Sequence, residues 1–126
     1  MTWLAIAVGG ALGSVARHAV NHAAHTHWFV TKFPAGTLLV NVIGCFVIGL
    51  LAGLIAADRI ALRFHWREFV FVGILGGFTT FSTFGLDTFV LARTHSPGQA
   101  ALNVAGQVVG GLVAVWVGYQ LGTVSR

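Results

Sequence analysis

The stretch Gly73-Ile-Leu-Gly-Gly-Phe-Thr-Thr-Phe-Ser-Thr-Phe84 lies inside a long apolar segment and decides the predicted fold. Two adjacent glycines and four hydroxyl residues interrupt a run that is otherwise apolar enough for a membrane helix. Glycine pairs loosen a helix, and hydroxyl groups in hydrocarbon need hydrogen-bond partners or a cavity. The stretch therefore predicts a membrane helix broken at Gly76-Gly77. The freed backbone carbonyls would suit a hard cation such as Na⁺, and the polar side chains indicate a site for a polar solute.

The composition of the whole chain is that of an integral membrane protein. Of 126 residues, 56% are hydrophobic and only 8% are charged, and the mean hydropathy is +0.86. Soluble domains carry about 25% charged residues. Apolar runs predict four spans at roughly 3–23, 35–57, 68–92 and 99–122, each near the length that a bilayer requires. We therefore expect an all-α fold in which residues 1–126 form a single four-helix transmembrane domain, whose first span is a retained helix rather than a signal peptide.

Enzymatic activity is not indicated by the sequence. The four spans use most of the chain and leave no room for a soluble catalytic domain. No nucleophile–base–acid set, paired carboxylates or phosphate-binding loop is present in the sequence. The sequence thus favours a protein that is not an enzyme.

The distribution of basic residues barely chooses an orientation in the membrane. The formal net charge is +4, and in a membrane protein this balance bears on topology. With four spans, one side carries four arginines, which are Arg59, Arg63, Arg67 and Arg126. The other side carries Lys32 and Arg93, and also Arg17 if that side chain reaches an interface. So weak a bias is typical of a chain that inserts in both orientations, which is called dual topology.

Glycines four residues apart occur in all four spans, and such pairs let helix backbones approach closely. Packing within one subunit explains some of them, but thin helices packed this closely leave little space for a pathway inside one chain. We therefore expect self-association, and a homodimer is the simplest closed assembly. The pairs are Gly9 and Gly13, Gly49 and Gly53, Gly73 and Gly77, Gly106 and Gly110, and Gly118 and Gly122.

Polar residues inside the predicted spans are costly in hydrocarbon and are therefore candidate functional residues. Thr80, Thr83 and Asp87 are spaced to share one helical face, and Phe81 and Phe84 a neighbouring one. An aromatic ring has a positive edge, so a desolvated anion can rest against ring hydrogens while amides and hydroxyls donate to it. The candidates for this role are Asn41, Thr80, Phe81, Ser82, Thr83 and Phe84, with Arg17 as a fixed positive charge that attracts anions or as a side chain that extends to the interface.

A histidine-rich segment follows the first span and suggests a second possible site. His18, His22 and His25 have helical spacing, and His27 lies just beyond them. Histidines four apart on a helix can bind zinc or nickel, but no acidic residue or cysteine joins them here. A metal site and a solvated or interfacial stretch both remain open for this segment.

The residues of three spans together resemble the Fluc or CrcB family of small bacterial fluoride channels. The similar motifs are Gly9-Gly10-x-x-Gly13-x-x-x-Arg17, Gly36-Thr37-Leu38-x-x-Asn41-x-x-Gly44 and Gly76-Gly77-Phe78-Thr79-Thr80-Phe81-Ser82-Thr83-Phe84. The third motif is the most specific, and the resemblance covers nearly the whole chain.

The resemblance implies an antiparallel, dual-topology homodimer in the bacterial inner membrane, with the third helix of each subunit broken. It implies two fluoride pathways lined by Phe81 and Phe84, in which Asn41 donates a hydrogen bond and Thr80, Ser82 and Thr83 extend a polar track. It further implies a vestibule arginine at Arg17. A structural Na⁺ is expected at the dimer centre, bound by the backbone carbonyls of Gly76 and Thr79. The implied activity is passive export of fluoride, which relieves its toxicity.

Two other functions are compatible with a chain of this size and composition. A proton-coupled small multidrug-type transporter also has four short spans, but it needs a carboxylate central in a helix, and Asp87 lies towards the end of span three. A metal-responsive membrane scaffold would use the histidine segment instead of an ion pathway.

Overall fold

The computed structural model describes residues 2–27 and 33–124, with side chains throughout except at 25–27, and this part of the chain is all-helical. Its long helices are α1 (Thr2–His27), α2 (Ala35–Ala56) and α6 (Pro97–Thr123), with a segmented third span, Phe64–Thr94, between α2 and α6. All four are long and apolar enough to cross a membrane. This confirms the prediction of four helical spans, although the third begins at Phe64 rather than at residue 68.

The third span is divided into four helical pieces by two changes of helix type and one break. It begins with α3 (Phe64–Arg67) and widens into a π-helical segment (Glu68–Leu75). The short α4 (Gly76–Phe78) follows, and α5 (Phe81–Thr94) completes the span. Helix irregularity of this kind is tolerated in a membrane only where protein or a cavity meets the freed backbone groups.

The prediction of a break at Gly76-Gly77 was wrong, because both glycines are helical. The chain leaves the helix three residues later, where Thr79 (φ −83°, ψ 161°) and Thr80 (φ −153°, ψ 118°) are extended. A Cβ atom on Gly77 would lie 2.6 Å from the Gly10 carbonyl oxygen, so this glycine serves close packing against α1. The threonines can leave the helix because their backbone groups have side-chain partners elsewhere in the chain.

Helices α2 and α6 pack against each other along a crossing of interlocked glycines. A Cβ atom on Gly49 or Gly53 would collide with the carbonyl oxygens of Val115 and Tyr119, respectively. From the other side, a Cβ atom on Gly118 would collide with the Phe46 carbonyl. Only residues without a side chain permit so close a backbone approach.

The third span packs against α1 in the same way. A Cβ atom on Gly13 would collide with the Ile74 carbonyl, and one on Gly73 would lie 2.9 Å from the Gly9 Cα atom. Four of the five glycine pairs are therefore used in packing within the single chain, and the fifth, Gly106 and Gly110, is in ordinary contact with side chains of α2. The glycine pairs consequently do not support self-association, and the predicted dimer needs other support.

Two side-chain contacts show which chain segments lie at the same end of the bundle. Thr2 Oγ1 and His65 Nδ1 are 3.4 Å apart, and Arg59 Nη1 donates to the Val124 carbonyl at 3.2 Å. The start of α1, the loop before the third span and the end of α6 therefore share one end. Four spans that alternate in direction produce this arrangement.

Candidate ion pathway

A cavity of about 410 Å³ lies beside the break in the third span, where α2, the third span and α6 meet. Its lining combines aromatic and aliphatic side chains with a few amide and hydroxyl groups: Asn41, Gly44, Cys45, Ile48, Phe71, Leu75, Gly76, Thr79, Thr80, Phe81, Phe84, Gln107 and Val108. Of the predicted pathway residues, the cavity brings together Asn41, Thr80, Phe81 and Phe84. A mostly apolar cavity with a few convergent polar groups is the usual form of a small-ligand site.

Asn41 stabilises the break by replacing the hydrogen bonds that the helix has lost. Its Oδ1 atom accepts from the Thr80 N–H at 2.9 Å, and its Nδ2 atom donates to the Thr80 carbonyl at 3.0 Å. The side-chain amide of Asn41 therefore bonds both backbone groups of Thr80, as a neighbouring strand would in a β-sheet. An unpaired backbone group at this depth would be strongly unfavourable, so Asn41 is what permits the break.

The hydroxyl residues after the break form a capping cluster around Thr80. Thr80 Oγ1 accepts from the Thr83 N–H at 3.2 Å and lies 3.0 Å from Thr83 Oγ1 and 3.2 Å from Ser82 Oγ. Thr80 is the N-cap of α5, a position that favours threonine. It thus reaches Thr83 as a cap and not as a member of the same helical face. Ser82 and Thr83 lie outside the set of residues that lines the cavity.

The two phenylalanines at the start of α5 form an edge-to-face pair. The centroids of the Phe81 and Phe84 rings are 5.4 Å apart, and the ring planes meet at 62°. Phe81 is 83% exposed in the single chain, although it borders a cavity that contains polar groups. The two rings and the amide and hydroxyl residues of the lining therefore surround one space.

Arg17 reaches the break from α1. The side chain is half-buried, and Nη1 donates to the Thr79 carbonyl over a long distance of 3.4 Å. A guanidinium remains charged at any physiological pH, so a permanent positive charge lies beside the break. Arg17 is not among the residues that line the cavity.

Comparison with known proteins places this chain in a family. The family model described as "CrcB-like protein, Camphor Resistance (CrcB)" matches residues 4–119. The chain belongs to the CrcB family. Three relatives carry the name fluoride-specific ion channel FluC, one of them numbered 2. They come from Opitutus terrae (50% identity, 93% of this chain and 89% of the relative), Methylobacillus flagellatus (43%, 92% and 90%) and Nitrobacter hamburgensis (46%, 96% and 96%).

Membership of the CrcB family, together with the four apolar helices, identifies the chain as a multi-pass membrane protein. The resemblance seen in the sequence is thereby confirmed. The names of these relatives describe channels for one anion, whereas the residue roles in this chain rest on its own geometry.

A second group of polar residues lies further along α5 in this CrcB family member. Thr37 Oγ1 donates to Asp87 Oδ2 at 2.7 Å, and Asn103 Nδ2 donates to Thr88 Oγ1 at 2.9 Å. The sequence places Asp87 at the spacing of Thr80 and Thr83, and Thr37 within the second motif, but it pairs neither of them with a partner. Their pairing joins α2 and α6 to α5, and no spacing along the chain predicts it.

Gln107 is a polar residue of the cavity lining to which the sequence assigned no role. It lies on α6, and its Oε1 atom accepts from Asn41 Nδ2 at 3.0 Å. The sequence signal for it was its position as a polar residue well inside an apolar span. Its other amide atom, Nε2, is buried and has no hydrogen-bond partner.

The histidine segment does not form a metal site among the described residues. The rings of His18 and His22 are stacked, with centroids 6.3 Å apart, and both side chains are exposed. No group of three or more potential ligands occurs in the part of the chain that the structure describes. The side chains of His25 and His27 lie outside the described residues, so the predicted cluster is described only in part.

Proposed function

We propose that this protein is a fluoride-selective channel that exports fluoride passively across the bacterial inner membrane and so relieves fluoride toxicity. The observation that carries the proposal is the cavity that Phe81 and Phe84 line together with amide and hydroxyl residues. The relatives named as fluoride-specific channels cover nearly all of this chain at 43–50% identity. They support a channel rather than an enzyme.

The lining of the cavity suits a small anion that has lost its water. Among the described lining residues there is no carboxylate to repel it and no cation to hold it tightly. Positive ring edges and neutral N–H and O–H donors bind an anion through many weak contacts. Conduction requires this balance, because an ion must enter readily and still be able to leave.

The break itself supports an assembly of two copies. Gly76, Phe81 and Ser82 are exposed in the isolated subunit, although they flank extended backbone at membrane depth. Irregular backbone does not face lipid in membrane proteins; it is covered by protein or lines a watery cavity. A second copy of this chain, inserted in the opposite orientation as the nearly balanced charges allow, would cover this face and enclose two pathways.

The carbonyl groups at the break fit a structural Na⁺. The Thr80 N–H donates to Asn41, so the Gly76 carbonyl has lost its usual helical donor. The Thr79 carbonyl has only the long contact with Arg17. Na⁺ binds carbonyl oxygens, and the Gly76 and Thr79 carbonyls of two copies would hold it. The positive charge of the ion would hold the carbonyl groups of the two broken helices together, while the side chains of Asn41 and Arg17 orient the backbone around it.

Fluoride efflux from proteoliposomes that contain only this chain tests the proposed function. Vesicles loaded with fluoride or chloride are diluted, a potassium ionophore removes the charge that builds up, and electrodes follow each anion. Rapid fluoride release with chloride retained is the expected result. If folded and inserted protein releases no fluoride, a channel made of this chain alone is rejected.

The assembly is tested by mass and by labelling. Light scattering in detergent should report twice the chain mass of 13.3 kDa. In a Cys45→Ala background, an Arg59→Cys thiol should react about half from outside sealed vesicles and the rest only after permeabilisation if both orientations are present. Reaction from one side only would exclude dual topology.

The Na⁺ proposal is tested by thermal unfolding of the purified protein. Binding to the folded state alone stabilises it by about 2.7 kcal/mol at a hundred times the dissociation constant. The unfolding temperature should therefore rise with Na⁺ and not with an equal concentration of N-methylglucamine. Identical unfolding in both salts would exclude a structural Na⁺.

A further inference from the structure

The backbone of Thr80 fixes the orientation of the Asn41 amide. The Thr80 N–H can only donate and its carbonyl can only accept, and Asn41 meets them with Oδ1 and Nδ2, respectively. If the amide were turned over, Nδ2 would face the Thr80 N–H, donor against donor, and Oδ1 would face the Thr80 carbonyl, acceptor against acceptor. The Nδ2 atom of Asn41 therefore donates one hydrogen to the Thr80 carbonyl and the other to Gln107, so both of its hydrogens are used.

The Asn41 amide in turn fixes the orientation of Gln107. Because Asn41 Nδ2 only donates, the group that it meets at 3.0 Å must be the oxygen of Gln107. The Nε2 atom is consequently the free end of a relay that runs from Thr80 through Asn41 to Gln107. It is buried and unpartnered, and a buried N–H group without an acceptor is unfavourable.

Gln107 lines the same cavity as Phe81 and Phe84. We propose that Gln107 Nε2 is the amide donor that binds fluoride in this cavity and that Asn41, whose own N–H groups are occupied, positions it. Because Nε2 is buried in the structure, binding requires the Gln107 side chain to rotate about its contact with Asn41 so that Nε2 reaches the ion. The proposal rests on the proposed function, since it names the donor for that same anion.

Three variants on α6 test this role by single-channel fluoride current, which reports the rate per channel and not the number of folded channels. Gln107→Met keeps a similar volume and removes the donor. Gln107→Asn keeps an amide that is one methylene shorter. The matched control, Gln120→Met, makes the same chemical change at an exposed position on the same helix.

Loss of a hydrogen bond to a charged group corresponds to a decrease of about 10- to 100-fold, so Gln107→Met should reduce the current by that factor. Gln107→Asn should fall between Gln107→Met and the wild type, and Gln120→Met should match the wild type. If Gln107→Met does not fold, the reduced current of Gln107→Asn decides the question.

Each contrary result has a distinct meaning. Wild-type current in Gln107→Met, or in Gln107→Asn if only that variant folds, would overturn the inference while the proposed function stands, with a buried water left as the partner of Nε2. A wild-type protein that passes no fluoride would overturn the proposed function and the inference together.

Discussion

The crossing of α2 with α6 and the broken third span use glycine for the same purpose but differ in regularity. Along α2 and α6, glycines such as Gly53 and Gly118 bring together two uninterrupted helices. In the third span, Gly73 and Gly77 permit an equally close approach to α1, yet the span also contains a π-helical segment and two extended threonines. Close packing therefore does not itself cause the break.

What separates the two regions is the supply of polar partners. At the break, Asn41 hydrogen-bonds the Thr80 backbone and Thr80 caps α5. We therefore infer that the α2–α6 crossing provides stability and that the broken span provides the pathway. Four substitutions test this division, beginning with the largest expected effect.

Asn41→Asp should abolish fluoride flux. It would place a carboxylate oxygen against the Thr80 carbonyl and Gln107 Oε1, both of which accept from Asn41 Nδ2 in the structure. An uncompensated buried charge costs about 3–5 kcal/mol, which corresponds to a decrease of more than about a hundredfold. Efflux of the purified variant measures this, and Gln120→Glu, an exposed amide-to-acid change, should conduct normally. Normal flux in Asn41→Asp would mean that fluoride conduction does not depend on the hydrogen bonds of Asn41 at the break.

Phe81→Ile should reduce fluoride flux by about tenfold or more, because an aliphatic side chain has no positive edge. The matched control is Phe89→Ile, since Phe89 is also exposed on α5 but does not border the cavity. Efflux at equal protein density compares the two variants. Equal losses in both would mean that the cavity rings have no special role.

Gly118→Ala should lower stability by about 1–3 kcal/mol, because overpacking forces the α2–α6 crossing apart. Its Cβ atom would collide with the Phe46 carbonyl, whereas the Cβ atom of Gly110→Ala would be an ordinary 3.5 Å from Val42 Cγ2. Thermal unfolding of the two variants should therefore differ, with Gly110→Ala close to the wild type. If Gly118→Ala unfolds normally but loses flux, stability and pathway are not divided as we infer.

Asp87→Asn should have the smallest effect, with flux within about threefold of the wild type, because Thr37 can still donate to the amide oxygen. Flux should also show the same pH dependence as in the wild type. Efflux at several pH values makes the comparison. Flux that needs a proton gradient and is lost in Asp87→Asn would favour the proton-coupled transporter over the channel.

The sequence determined the membrane environment, the four spans and the irregular third span. Apolar runs of about 20 residues have few alternatives to membrane helices. Polar residues within these runs are unfavourable in hydrocarbon, so their presence identifies functional candidates such as Asn41, Thr80 and Ser82. These inferences need only local composition and spacing.

The tertiary structure alone decided where the third span breaks and which residues meet there. Glycine pairs weaken a helix wherever they occur, but a break forms where freed backbone groups find partners, and that partner is Asn41 on another helix. The pairing of Gln107 with Asn41 likewise joins residues 66 apart in the sequence. Contacts between distant helices depend on how the helices cross, and helix spacing within one span carries no information about that crossing.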